Sequence, residues 1–220
     1  MPRKTFFNLP EPKRSRLADA LRTEFARHSF KDASVDRITQ DAGVSKGSFY
    51  QYFDDKLDAY GFVVTQALEA RLTRVAEHPA GTGFIDLLRA MITDSASYQT
   101  SDPLGWSILA RAYTDDAPAV AATVQTASGQ IHRWVSEAIA AGVTAGELRA
   151  TLDADAAAWL IEHTLIGLGW YLMARFGISG EQLLTGHGRF DEPAVQAVVD
   201  EVVKMLIGAL GVQEPRRTPP

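Results

Sequence analysis

Residues 34–56, SVDRITQDAGVSKGSFYQYFDDK, decide how the chain is read. Val35, Ile38 and Ala42 recur at the three- and four-residue steps of one helical face. Ser34 stands at the N-cap, where its hydroxyl can take a free backbone N–H, and Asp36 falls in the positive first turn. Gly43 supplies a left-handed residue that ends the helix without a Cβ penalty. Ser45 can then cap a second helix over 46–53, on which Phe49 and Phe53 share an inward face at i,i+4. Helix, glycine turn, helix is the arrangement whose second helix enters the DNA major groove.

The run ITQDAGVSKGSFYQYF at 38–53, followed by Lys56, resembles the N-terminal signature of the TetR family of bacterial repressors. The likeness is dense over residues 13–62, and beyond it is architectural only. Thr39 departs from the family, which more often has alanine there. From the residues, Lys46, Ser48 and Gln51 are expected to be exposed if Phe49 and Phe53 point inward. Lysine can donate to guanine and glutamine can take adenine bidentately, and Gly47 lets a base or phosphate approach closely. The resemblance implies that Lys46, Gly47, Ser48 and Gln51 face base edges. It also implies that Ser34, Tyr50, Tyr52 and Lys56 hold phosphates. Ser45, at the head of the same helix, is grouped with them, and Tyr50 and Tyr52 are both expected to be exposed.

The rest of the chain fits such a head. It has 220 residues, 46% of them hydrophobic, which is globular composition. No apolar run reaches the roughly 18 residues of a membrane span. The start, MPRKTFFNLPEPKR, lacks an apolar core and does not read as a signal peptide. There is no cysteine, which removes disulfides, thiolate chemistry and the commonest zinc ligands. A cytoplasmic location is expected. The net charge is −5, but it divides into +2 over residues 1–60 and −7 over 61–220, a mildly basic head on an acidic body.

Residues 1–12, with prolines at 2, 10 and 12, are expected to form an extended arm, with Phe6 and Phe7 packing part of it down. A first helix is expected over 13–28, with Leu17, Leu21 and Phe25 as its buried stripe. A connecting rod follows from Asp55, an N-cap with Asp58 in capping-box position, to about residue 77. Its apolar face is Leu57, Tyr60, Val64, Leu68 and Val75, and Pro79, Ala80 and Gly81 end it. Further helices are expected at 83–99, 104–114, 118–141, 154–176 and 193–210, with no convincing strand. The reading is therefore all-α with about nine helices. An arm and DNA-binding head (1–55) precede a helical ligand-binding and dimerisation domain (56–210) and a disordered tail (211–220). Gly146, Glu147, Leu148 and Arg149 resemble a turn common in the family.

The last two long helices carry apolar stripes: Trp159, Leu160, Ile166, Gly167, Trp170 and Tyr171, then Val195, Val198, Val199, Val202, Leu206 and Leu210. These can be intramolecular core; the family resemblance implies a homodimer interface. Aromatic and semi-polar residues are abundant and can each be plain core; the family resemblance implies that they build a lipophilic ligand pocket, lined by Met91, Tyr98, Trp106, Tyr113, Trp134, Trp159, His163 and Trp170.

Enzyme readings fare worse. Residues 43–47 match G-x-S-x-G, but a nucleophile elbow needs a strand before its serine, and the preceding residues have helical periodicity. His28, His78, His132, His163 and His187 show no metal-ligand spacing. No catalytic residue, metal or cofactor is expected. The reading is a ligand-responsive DNA-binding transcriptional regulator, a repressor released from a palindromic operator by a lipophilic molecule. An activator of the same architecture and an all-α ligand-binding enzyme are the alternatives.

Overall fold

The computed structural model describes residues 2–76, 83–113, 117–185 and 189–211. Among them the chain forms α1 (Lys4–Phe7), α2 (Glu11–Arg27), α3 (Val35–Ala42), α4 (Lys46–Tyr52), α5 (Lys56–Ala76) and α6 (Phe84–Ser101). It continues through α7 (Pro103–Tyr113), α8 (Ala117–Thr144), α9 (Ala154–Phe176), α10 (Gly180–Leu184) and α11 (Pro193–Leu210). The all-α class is as expected. The described residues hold no strand, only an isolated antiparallel bridge between Leu148 and Gly211. The two helices beyond the expected nine are the short α1 and α10. Pro79, Ala80, Gly81, His78, His187 and the tail from 212 lie outside the described residues.

The chain divides into two compact units, Met1–Leu72 with Asp102–Ser128, and Thr73–Ser101 with Gly129–Pro220. In the first, Leu17, Leu21 and Phe25 of α2 are buried as expected, and α2 packs on α3 and α7. Asp102 opens α7 by accepting the Gly105 N–H at 3.0 Å, and its carboxylate also takes Arg22 of α2 at 2.6 Å. Tyr60, Val64 and Leu68 of α5 face inward, but Leu57 does not; it is exposed. Asp55 caps α5 through the Asp58 N–H at 2.8 Å.

The N-terminal arm is not extended. Residues 4–7 coil into α1 because Phe6 has a cavity to fill: its ring is 1% exposed and lies 5.3 Å from Phe53 and 5.1 Å from Phe62. Phe7 alone of the pair stays exposed.

In the second unit α11 packs on α6 and α9, and α6 also meets α9. Asp153 caps α9 with bonds from the Asp155 and Ala156 N–H groups, and Gly177, at φ 64°, ends it. The turn at Gly146 (φ 76°) has a structural task. Glu147 accepts the Phe84 N–H at 2.7 Å, capping α6, while the Arg149 N–H donates to the Leu210 carbonyl. The expected break at Gly142 is instead helix through Thr144. Glycine is needed there for close approach, since a Cβ would fall 2.9 Å from that of Phe84.

Candidate nucleic-acid interface

The turn between α3 and α4 is built as its residues dictate. Gly43 adopts φ 66°, ψ 38°, and the Val44 N–H returns to the Thr39 carbonyl at 3.0 Å. The Ser34 hydroxyl accepts the Arg37 N–H, and that of Ser45 accepts the Ser48 N–H at 3.0 Å. Both serines are thus helix caps. Thr39, the departure from the family pattern, is buried and satisfied, its hydroxyl donating to the Asp36 carbonyl at 3.0 Å.

α4 presents two faces. Phe49 and Phe53 are fully buried, 5.3 Å apart. Lys46, Gly47, Tyr50 and Gln51 are exposed and Ser48 is half-buried. A Cβ on Gly47 would meet nothing nearer than the Ser45 hydroxyl at 3.9 Å, so the protein itself leaves that space open. Lys46 pairs with Asp36 at 2.8 Å, and that hydrogen bond holds its pKa above the ordinary lysine value.

Two expectations change. The tyrosine pair is divided: Tyr50 is 43% exposed, but Tyr52 is 6% exposed, its ring turned towards Phe6. Two residues along a helix is about 200° of rotation, which puts Tyr52 on the inner side. Lys56 faces the protein. Its ammonium donates to the carbonyls of Lys31 and Ala33 at 3.3 and 2.9 Å, and sits 4.7 Å over the Phe30 ring. It secures the loop that enters α3.

Glu24 was not singled out by sequence. It is buried on α2 and accepts the Ser34 N–H at 2.7 Å and Arg37 at 2.5 Å, joining α2 to the start of α3. Burial pushes its pKa up, but the bonds from Arg37 and Ser34 outweigh that and hold it below the ordinary carboxylate value. The available signal was an acid beside Phe25 on the apolar side of α2.

The residues expected to line a pocket separate. Trp106 and Tyr113 belong to the first unit, and the other six to the second. Met91 and Tyr98 are buried and Trp134 is half-buried. Trp159 and Trp170, at 56% and 38%, and His163 stand on the exposed face of α9. The helix turns Ala158, Ile161, Leu165 and Leu172 inward instead, so these three do not line an interior. His163 stacks on Trp159 and bonds its carbonyl at 2.8 Å. The second unit also buries polar atoms without a hydrogen-bond partner, among them Gln99 Oε1, Ser136 Oγ and Glu162 Oε1. His132 of α8 bridges Asp155 and Glu162 of α9 at 2.9 and 3.1 Å, and those bonds raise its pKa. No spacing rule could have paired residues so far apart in the chain.

Two short helices joined at a left-handed glycine, the first packed on α2 and the second showing a polar face, have the arrangement of a helix-turn-helix DNA-binding head. The sequence model described as "Bacterial regulatory proteins, tetR family" matches residues 17–58. A TetR family transcriptional regulator from Chloroflexus aurantiacus J-10-FL is 34% identical, with a TM-score of 0.75 over 97% of this chain and 100% of that one. The chain belongs to the TetR family of transcriptional regulators. The HTH-type transcriptional repressor AcnR of Corynebacterium glutamicum is 28% identical over 89 residues, 40% of this chain, and the match spans 45% of that repressor's length. The ketosteroid transcriptional regulator KstR2 of Mycobacterium tuberculosis shares the fold, at TM-score 0.63 and 18% identity, over 93% of this chain and 98% of that one. Among the described residues, no helix is long and apolar enough to cross a membrane, and no cluster of three or more histidine or acidic side chains could hold a metal.

Proposed function

We propose that the protein is a cytoplasmic, homodimeric repressor that binds a palindromic operator and is released by a small molecule. The observation that carries this is the exposed face of α4. Lys46, Ser48 and Gln51 would read base edges beside the open space at Gly47. Tyr50, with the hydroxyls of Ser34 and Ser45, would flank the phosphates, while Tyr52 and Lys56, turned into the protein, would support that face from behind. Lys46 would exchange Asp36 for DNA. The functional division is a DNA-binding head over 1–55 and an effector and dimer domain over 56–210.

Support for the dimer comes from α9, whose outward face carries Trp159, Leu160, Trp170 and Tyr171, with Met205 outward on α11. Val195, Val199, Leu206 and Leu210 are spent on the interior of their own chain. A twofold partner would cover the α9 face, and in such a dimer on a palindrome the two α4 helices would enter major grooves about 34–36 Å apart, one DNA turn. The effector would occupy the interior of the second unit, against Met91, Tyr98 and Trp134. The unpartnered acceptors Gln99 Oε1 and Glu162 Oε1 favour a largely apolar molecule bearing a hydrogen-bond donor. Such a molecule must favour the non-binding conformation, since equal affinity for both would shift nothing.

A salt-dependent titration against DNA upstream of the protein's own gene tests the reading. Specific binding that weakens steeply with salt and is reversed by an apolar hydrogen-bond donor is expected. Failure to select any site from a random DNA pool would refute it.

A further inference from the structure

A helix of seven residues ends with carbonyls that its own N–H groups cannot satisfy. In α4 the last three, Tyr50, Gln51 and Tyr52, each take a donor from the N-terminal arm. The Arg3 N–H donates to the Tyr52 carbonyl at 2.8 Å, the Arg3 guanidinium to that of Tyr50 at 3.0 Å, and the Thr5 hydroxyl to that of Gln51. The same guanidinium grips Asp54, just past the helix, with Nε and Nη2 at 2.8 and 2.6 Å. Behind these bonds Phe6 is sealed among Phe53, Phe62 and Tyr52. The far end of the arm is tied to α2, where Arg14 donates to the Phe7 carbonyl at 3.0 Å.

We propose that Arg3 and Thr5 are positioning residues for DNA recognition, with the arm acting as the C-terminal cap of the reading helix. The inference rests on α4 being that helix. Short isolated helices are marginal in water, so what fixes the last turn of α4 also fixes the directions of Tyr50 and Gln51 on it. The Arg3 charge lies at the negative end of the α4 dipole and against Asp54. It is committed within the protein and not to a phosphate.

The test compares operator and random DNA, across a salt series, for Arg3→Ala, Arg3→Lys and Thr5→Val. Thr5→Val keeps the side-chain shape and removes only the hydroxyl. Affinity for the operator should fall at least about thirtyfold, one misplaced base contact in each of two half-sites. Affinity for random DNA and the salt slope should be unchanged, so the ratio of the two affinities falls. Simple loss of folded protein would lower both affinities alike. Arg3→Lys should not rescue, because one ammonium cannot reproduce the fork to Tyr50 and Asp54. A salt slope reduced by about one unit in Arg3→Ala and restored in Arg3→Lys would mark a phosphate contact and overturn the proposal. An unchanged affinity ratio in Arg3→Ala and Thr5→Val would overturn it too. Lys46→Ala separates the two layers: wild-type operator affinity in that variant refutes the reading of α4 itself, whatever the arm does.

Discussion

Replacing Gly47 by alanine should push stability and DNA binding in opposite directions. In the free protein the added methyl meets nothing closer than the Ser45 hydroxyl at 3.9 Å, so no repacking is required. Gly47 is in the first turn of α4 with no positive φ to protect. Alanine is favoured over glycine inside a helix by about 0.5–1 kcal/mol, because the unfolded chain has less freedom to lose. For a chain of this length that is a rise in melting temperature of about 1–4 °C.

Binding should move the other way. If DNA fills the space over Gly47, the methyl displaces a base edge or phosphate, and one misplaced contact costs about 1–3 kcal/mol. In a twofold complex the loss occurs in both half-sites, about 2–6 kcal/mol in all, so the affinity should drop at least about thirtyfold. Calorimetry and fluorescence anisotropy on one preparation measure both arms. A raised melting temperature with operator affinity within about twofold of wild type would refute the placement of Gly47 at the DNA surface. No folding defect could then be blamed.

Glu24→Ala should destabilise the head by about 2 kcal/mol. It strands the Ser34 N–H and releases an Arg37 that is already half in water. Because the Glu24 pKa is lowered on folding, its contribution is present above the unfolded-state value and is lost as pH falls through the folded one. Acid titration of stability should therefore be flatter in the variant, and an identical acid limb would dismiss the pair as a stabiliser. His132 has the opposite sign. Its raised pKa makes the bridge between α8 and α9 fully stabilising below the ordinary histidine value of about 6.5, and the gain fades as pH rises through the folded value. His132→Gln should remove that alkaline loss in melting curves taken from pH 6 to 9 (roughly the histidine range), and equal curves would count against it. Trp170→Glu should split the proposed dimer. A buried aromatic anchor is worth about 2 kcal/mol or more and is counted twice across a twofold axis, so dimer dissociation should rise about a thousandfold. Light scattering that still finds a dimer at low concentration would place the interface elsewhere.

Much of the head could be read in advance because its determinants are local. Gly43 needs only its own dihedral angle, Ser34 and Ser45 need only the N–H three residues on, and Phe49 and Phe53 need only each other. The bounds of α9 and α11 were legible for the same reason, with Asp153 and Gly177 at the ends of one and proline opening the other. What local reasoning missed depends on partners far along the chain. The arm looked extended because Pro2, Pro10 and Pro12 bracket it. Nothing within residues 1–12 reveals that Phe53 and Phe62 leave a place for Phe6, or that three carbonyls of α4 await donors.

The tryptophans of α9 show a different limit. Periodicity sorts residues into faces but does not say which face is inside when both are apolar. On α9 one face carries Ala157, Ala158, Ile161, Leu165, Leu168 and Leu172, the other Trp159, Leu160, Trp170 and Tyr171. Large aromatic side chains suggested a pocket wall, yet close helix packing against α6 and α11 favours the smaller aliphatic set. The bulky face is thereby left exposed, and in the proposed dimer the exposed Gly167 beside it would let a second helix come near. Moving three aromatic residues out of the interior also changes the expected effector. The second unit keeps Met91, Tyr98 and Trp134, but unpartnered oxygens of Gln99, Ser136 and Glu162 now weigh against them. A purely hydrocarbon ligand would leave those oxygens unsatisfied in a dry site, at about 1–3 kcal/mol each. A hydroxylated or amine-bearing apolar molecule should therefore release DNA at a lower concentration than its hydrocarbon counterpart of equal size, and equal potency of the pair would refute that account of the site.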